Sequence, residues 1–178
     1  MSKVAIVGNP SGTGVFTIQS PNTSTDRTLT LPDSTGTVDT LQRAGNVLQV
    51  VSANGSYVSW SSAGLVTLIG STSITVQANS KILVTTTIPH YAGANGTWGS
   101  ALYTYIFENG SNVQQSEHVG TVTNEAQAHQ INLQYLSGTK TAGTYSYIIY
   151  GQLTSGSGTQ EVGRANRIPN IIIMEIAA

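Results

Sequence analysis

Short runs rich in Thr, Val, Ile and Tyr recur along this chain, and Gly, Asn, Ser or Pro interrupts them roughly every eight to twelve residues. β-Branched and aromatic side chains favour strands, and turn residues at this spacing separate one strand from the next. Helices need Ala, Leu, Glu, Lys, Gln and Arg at a 3.6-residue period, and such runs are few here. The sequence therefore predicts an all-β fold.

Within several of these runs, alternate side chains form two sets, as they do in a strand that has one face against a core. Three segments show the alternation: 102–107, 131–136 and 145–150. Asn-Gly pairs favour the positive φ angles of tight hairpin turns. The chain has such pairs at Asn54-Gly55, Asn95-Gly96 and Asn109-Gly110.

Charge is unusually scarce: only 8% of the 178 residues are charged, and the formal net charge is -1. A near-neutral chain has no electrostatic attraction for nucleic acid or an anionic membrane, so neither is an expected partner. The 39% hydrophobic content is too high for a disordered chain. There is no cysteine, so disulfides and thiolate metal sites are excluded. The start MSKVAIVGNP is too short for a signal peptide, and we expect an unprocessed, soluble protein.

The first 42 residues have a weak internal repeat. Pro10, Pro21 and Pro32 are spaced by eleven residues, and a turn followed by a short strand fits each interval. The apolar side chains in this segment form only a thin row, too few for independent folding. We therefore predict that residues 1–42 form an N-terminal β-repeat anchor or shaft whose core is completed by identical copies. The alternative is a flexible arm.

Two further segments follow the repeats. Residues 43–63 are predicted to be a connector that contains a hairpin around Asn54-Gly55. Residues 64–178 contain about eight strand candidates, which suit a jelly-roll-like β-sandwich head. The run Ile171–Met174 is apolar on both faces, which is typical of a central strand or of one buried at a subunit contact.

A resemblance to known proteins is carried by the run GTGVFTIQSPNTSTDRTLTLPDSTGTV, residues 12–38, by the segment from Asn46 to Trp60, and by the ending IIMEIAA, residues 172–178. These segments resemble tail-fibre-like proteins of tailed bacteriophages. The resemblance covers roughly residues 8–60 and the last dozen. The stretch RTLTLPD is its most specific marker and carries no chemistry.

The resemblance implies a homotrimeric structural protein on the exterior surface of the virion, with a β-rich N-terminal shaft and a jelly-roll-like head. Its implied partners are its own copies and other tail or capsid proteins, contacted through residues 1–42. In one alternative the chain is a tail fibre that attaches the phage to its host, with a bacterial surface polysaccharide as a further partner. In the other it is a trimeric capsid decoration (cement) protein that stabilises the head shell.

The sequence offers no catalytic site, so we expect that the protein is not an enzyme. The aspartates of the first 42 residues lie at turns, where an Asp side chain ordinarily bonds its own backbone. Glu117, His118, Glu125 and His129 lie in one polar stretch, but their spacing matches no metal motif, and a surface loop is the simpler interpretation. We expect no metal and no cofactor. Arg164 and Arg167 are expected to pair with Glu161 or Glu175, in a solvated or an intersubunit ion pair.

The most distinctive candidate for binding is the segment 90–98, with a predicted hairpin tip at Asn95-Gly96. Loops on a rigid sheet commonly carry binding residues, and sugar recognition uses aromatic rings beside neutral polar groups. We therefore predict a receptor or interface loop formed by His90, Tyr91, Asn95 and Trp98. The alternative is that the two aromatic rings cover the core or a trimer contact.

Overall fold

The computed structural model describes residues 43–92, 100–120, 127–154 and 159–178, together with residues 8, 10–15, 17, 19, 22–26 and 28. Over these residues the chain is all-β, as the sequence predicts, with a single short 3-10 turn, Arg164–Asn166. In the described part of the chain, no helix has the length and apolar character needed to cross a membrane.

Ten strands form two antiparallel sheets. Their bounds are β1 (Val47–Asn54), β2 (Val58–Trp60), β3 (Leu65–Val76), β4 (Ser80–Ala92), β5 (Ser100–Glu108), β6 (Ser111–Gly120), β7 (Gln127–Leu136), β8 (Gly143–Leu153), β9 (Gln160–Val162) and β10 (Asn170–Ala177). Sheet A has the order β1-β10-β4-β9-β2, and β7 pairs with the other side of β4. Sheet B has the order β3-β8-β5-β6.

The pairing is nested about one hairpin. β5 pairs with β6, β4 with β7, β3 with β8, and β1 with β10, and these four pairs lie alternately in sheets B and A. The short β2–β9 pair, nested between the last two, adds to sheet A. Nested antiparallel pairs that alternate between two sheets are the connectivity of a jelly roll. At the centre of the nest, Asn109 and Gly110 have φ angles of 47° and 84°. The tight turn predicted for this Asn-Gly pair is therefore confirmed.

The hairpin predicted within residues 43–63 is wrong. β1 pairs with β10 and β2 pairs with β9, so the two strands of this segment extend sheet A instead of pairing with each other. Gly55 lies between them for a different reason, because a Cβ on it would be 2.2 Å from the Leu68 carbonyl oxygen and 2.8 Å from Cγ of Pro169. The glycine permits close packing where β1 ends, and its N–H donates to the carbonyl of Pro169 at 2.9 Å.

The core lies between the two sheets and confirms the predicted alternation. The inward positions of β5 are Leu102, Thr104 and Ile106, all buried. β10 lies between β1 and β4, so its predicted place as a central strand is also confirmed. The chain end is held in sheet A, because the N–H of Ala177 donates to the carbonyl of Asn46 at 2.9 Å.

The chain divides into two compact units, Met1–Thr37 and Val38–Ala178. Most of the predicted repeat region lies outside the described residues, so the N-terminal anchor or shaft stays a prediction. Within the described part of that region, the side chain of Val15 is 91% exposed.

Candidate functional site

The predicted binding residues begin on a strand. His90 and Tyr91 belong to β4, which continues to Ala92, so placing these two residues in a loop was wrong. The alternation of Ile, Pro, His and Tyr continues the strand period, and β4 is held on both sides here by β7 and β9. Asn95 and Trp98 lie outside the described residues, and their part in the site stays a prediction.

His90 is a buried residue, with its side chain only 2% exposed. Its Nε2 lies 2.8 Å from Oε1 of Gln160 on β9, and its ring lies 6.4 Å from the ring of Trp60. Burial disfavours the charged imidazolium and, together with the nearby His129 and His118, lowers the pKa of His90 to about 4 despite the bond to Gln160. The ring is therefore neutral at pH 7.

Tyr91 lies opposite Ala128 of β7 and Glu161 of β9, and directly opposed residues project from the same face of a sheet. The guanidinium carbon of Arg164 lies 3.9 Å from the centre of the Tyr91 ring. Arg164 also donates from Nη1 to Glu161 at 3.2 Å, which confirms the predicted pair with Glu161. The hydroxyl of Tyr57 donates to the other Glu161 oxygen at 3.0 Å. The carboxylate thus orients Arg164 over the aromatic ring.

Arg164 lies on a turn with unusual backbone angles. Gly163, Ala165 and Asn166 have φ angles of 82°, 54° and 62°. Glycine and asparagine adopt this left-handed region readily, whereas alanine does so at a cost of about 1 kcal/mol or more. Gly163 is further required because a Cβ there would lie 2.9 Å from Cα of Tyr57. Strained backbone of this kind is commonly retained where side chains must be placed for function.

A cavity of about 280 Å³ opens beside this turn. β4, β7 and the turn contribute its lining: Pro89, His90, Tyr91, Ala128, His129, Arg164, Ala165 and Arg167. A second cavity of about 340 Å³ shares Pro89, Ala128, His129 and Arg167 with the first and also touches Gln130. None of these described lining residues is acidic, and because Arg164 is paired with Glu161 outside the lining, Arg167 gives the cavity most of its positive character.

Glu175, the alternative predicted partner of the arginines, pairs with neither of them within the described part of one chain. Glu175 belongs to β10 and is buried next to the start of β4, at the end of that strand far from the cavity. There it accepts hydrogen bonds from Ser80 Oγ at 2.6 Å and from the Gln77 N–H at 2.7 Å. Arg167 contacts no carboxylate in the part of the chain that the structure describes. Pairing with Glu175 of the same chain was excluded by topology, since Glu175 lies opposite Ile82 near the start of β4.

The two histidines of the predicted polar stretch lie on strands, whereas residues 121–126 lie outside the described residues. His118 lies on β6 and His129 on β7, and the His129 ring stacks 6.4 Å from His90. Burial and the neighbouring His129 lower the pKa of His118. Glu125 lies outside the described residues. Among those that are described, no group of three His, Asp or Glu side chains is suited to a metal ion.

Sequence reasoning missed a second surface, although the alternation of β5 was the signal for it. Tyr103, Tyr105 and Phe107 of β5 and Tyr150 of β8 form an outward row of half-buried rings on sheet B, here called the aromatic row. Successive centroids lie 5.9, 6.1 and 5.0 Å apart. Gln152 accepts from the Tyr105 hydroxyl at 2.9 Å, and a hydrogen bond with Glu117 raises the pKa of Tyr103.

No protein-family model and no curated protein matches the chain. Among solved structures, it is similar to dimeric latent PorU from Porphyromonas gingivalis at 7% identity and a TM-score of 0.44, over 72% of this chain and 12% of that one. It is similar to the VP2 subviral particle of infectious bursal disease virus at 16% identity and a TM-score of 0.37, over 73% and 38%. It is similar to a structure of the Gt strain of that virus at 16% identity and a TM-score of 0.39, over 86% of this chain and 41% of that one. The chain thus spans less than half the length of each of these three structures.

Proposed function

We propose that the chain is a structural protein of a bacteriophage virion, of tail-fibre type, whose β-sandwich binds a glycan on the host surface. It acts by assembly and binding and not by catalysis. It is exposed on the exterior of the particle, and copies join as a homotrimer through residues 1–42. The resemblance of residues 12–38 to tail-fibre-like proteins supports the virion part of the proposal.

The observation that carries the binding part is the cavity beside Tyr91. Ligand sites are concave, largely apolar and equipped with a few fixed polar groups. Here Tyr91 and Pro89 provide apolar surface, and Arg164 is fixed by Glu161 and by the aromatic ring. A sugar has both apolar C–H faces and hydroxyls, so this combination suits it.

The direct test is adsorption of phage particles that carry Tyr91→Ala, alone and together with Trp98→Ala, to cells of the host strain. Loss of a central aromatic contact is expected to slow adsorption about tenfold or more. Sedimentation should show that the variant assembles as the wild type does. Tyr105→Ala is the matched control, because it removes the same side chain from the aromatic row on sheet B. If only Tyr105→Ala slowed adsorption, the glycan-binding proposal would stand, but the binding site would be the aromatic row. If no variant slowed adsorption, the glycan-binding proposal would be rejected.

The trimer is tested separately by sedimentation of the full chain. Val15, 91% exposed in one chain, is expected to be buried between copies. A compact single-chain species at micromolar concentration would reject the homotrimer.

A capsid decoration role is the second candidate, and the edge of sheet A favours it. β1 exposes Val47 and Val50, by 50% and 57%, and its outer side has no partner strand among the described residues. An apolar strand edge is a template for pairing with another chain. Copy number separates the roles, since a few dozen chains per particle indicates fibres and hundreds indicates decoration. Deleting residues 2–42 should then release the protein from capsids and lower their heat resistance.

A further inference from the structure

The cavity beside Tyr91 carries more positive charge than a neutral sugar requires. Arg164 and Arg167 are two of only seven basic residues in the chain, and both line this one cavity. The strained turn between them places both side chains on the same opening. We propose that the cavity binds the carboxylate of an acidic sugar, such as a uronic acid. This inference rests on the glycan-binding function proposed above and names the chemical class of the glycan.

The two arginines differ in whether their charge is already paired with a carboxylate. Arg164 is paired with Glu161 and lies over the ring of Tyr91, so its main part is to form a wall of the cavity. Arg167 lines both cavities, is exposed, and has no carboxylate partner within the described residues. A guanidinium group offers five N–H donors in a planar fork, which matches the two oxygens of a carboxylate. Arg167 is therefore the residue that contacts the acidic group.

The surroundings favour a saccharide acid over a small inorganic anion. A cavity of about 280 Å³ is large enough for a sugar ring, and the second cavity of about 340 Å³ shares four of its lining residues. Pro89, Ala128 and the edge of Tyr91 supply apolar surface next to the arginines. A ring can rest on these side chains while its carboxylate reaches Arg167. Phosphate needs only the donors, and the apolar wall would add nothing to its binding.

The experiment measures binding of the full chain to a panel of uronate-containing bacterial polysaccharides, each in native and in carboxyl-reduced form. The native form of at least one polysaccharide is expected to bind about tenfold or more tightly than its reduced form, the effect of a charge-assisted hydrogen-bond pair. Arg167→Gln should remove this preference, so that the native and the reduced forms bind equally tightly to the variant. Lys81→Gln is the matched control, because it removes one positive charge near the other end of β4.

The outcomes separate the two proposals. Equal binding of native and reduced forms, or an unchanged preference in Arg167→Gln, would overturn the acidic-sugar inference and leave glycan binding standing. No binding to any polysaccharide of the panel, together with wild-type adsorption by Tyr91→Ala particles, would overturn both. A phosphate-containing teichoic acid is included as a separate arm, and tighter binding to it than to every uronate polymer would reject the carboxylate in favour of phosphate.

Discussion

The central carbon of the Arg164 guanidinium lies 3.9 Å from the centre of the Tyr91 ring, although 73 positions separate the two residues in the chain. The contact joins the strained turn after β9 to the strand that carries the predicted binding residues. Because the face of an aromatic ring is electron-rich, it attracts a cation placed above it. This pair thus fixes one wall of the cavity.

A double-mutant cycle should detect this contact. We expect that Arg164→Gln and Tyr91→Leu, made singly and together, show a coupling free energy of about 0.5–1 kcal/mol in urea unfolding. The same cycle with Arg167→Gln is the control and should give additive effects, since no ring contact joins Arg167 to Tyr91. Additive free energies for the Arg164 pair would contradict an energetic contact between the guanidinium and the ring.

The stability of the sandwich should depend on pH through His90. Its pKa is about 4 in the folded chain against 6.5 in the unfolded chain, so between these values only the unfolded chain binds the proton. Acidification from pH 6.5 to 4 should therefore lower the free energy of unfolding, by up to about 3 kcal/mol. Urea unfolding at four pH values measures how steeply the free energy of unfolding changes with pH. His90→Gln keeps a polar partner for Gln160 and should make this dependence weaker. An equally steep dependence in the variant would refute the assignment of the pH effect to His90.

A second acid response should come from Glu175. Burial opposes its ionisation, but hydrogen bonds from Ser80, Gln49 and the Gln77 backbone together lower its pKa below 4.5. A lowered carboxyl pKa stabilises the fold at neutral pH, and this stabilisation is lost as pH falls below about 4.5. Glu175→Gln should cost about 2 kcal/mol at pH 7, because an amide NH₂ would face donors. The cost should shrink at pH 3, and a constant cost would argue against an ionised Glu175.

Gly55 and Gly70 provide a test of the packing between sheets. A Cβ on Gly55 would collide with the Leu68 carbonyl, whereas nothing lies within 4 Å of a Cβ on Gly70. Gly55→Ala should therefore destabilise the fold by about 2–3 kcal/mol, and Gly70→Ala should leave it unchanged or stabilise it by up to about 1 kcal/mol. Thermal and urea unfolding of both variants measure the difference. Equal effects would show that β1 does not end against β3 as described.

Several local features were predictable because their causes are local. The alternation at 102–107 identified the buried face of β5, and Asn109-Gly110 identified its hairpin turn, since both depend on residues a few positions apart. The Asn54-Gly55 pair carried the same turn signal and misled, because the partner of β1 is β10, more than a hundred positions away. Burial of this segment against a distant strand decided its pairing.

The candidate site, like the fold, was predictable from the sequence only in part. The sequence identified His90 and Tyr91 as unusual, but it indicated neither that one is buried nor that the other lies beneath an arginine. The resemblance to tail-fibre-like proteins, the homotrimer and the domain boundaries stay predictions. So does the contribution of Asn95 and Trp98.

Strand content, the turn at Asn109-Gly110 and the low charge were determined by the sequence alone, because each follows from residue composition or from the preference of a side chain for its own backbone or for water. The register of sheet A was decided only by the tertiary structure. β4 pairs with β7 and β9 through contacts between strands far apart in the chain, and these pairings bring Arg164 and Arg167 to the cavity beside Tyr91. Such contacts depend on how whole faces pack together, a property that no short stretch of sequence contains.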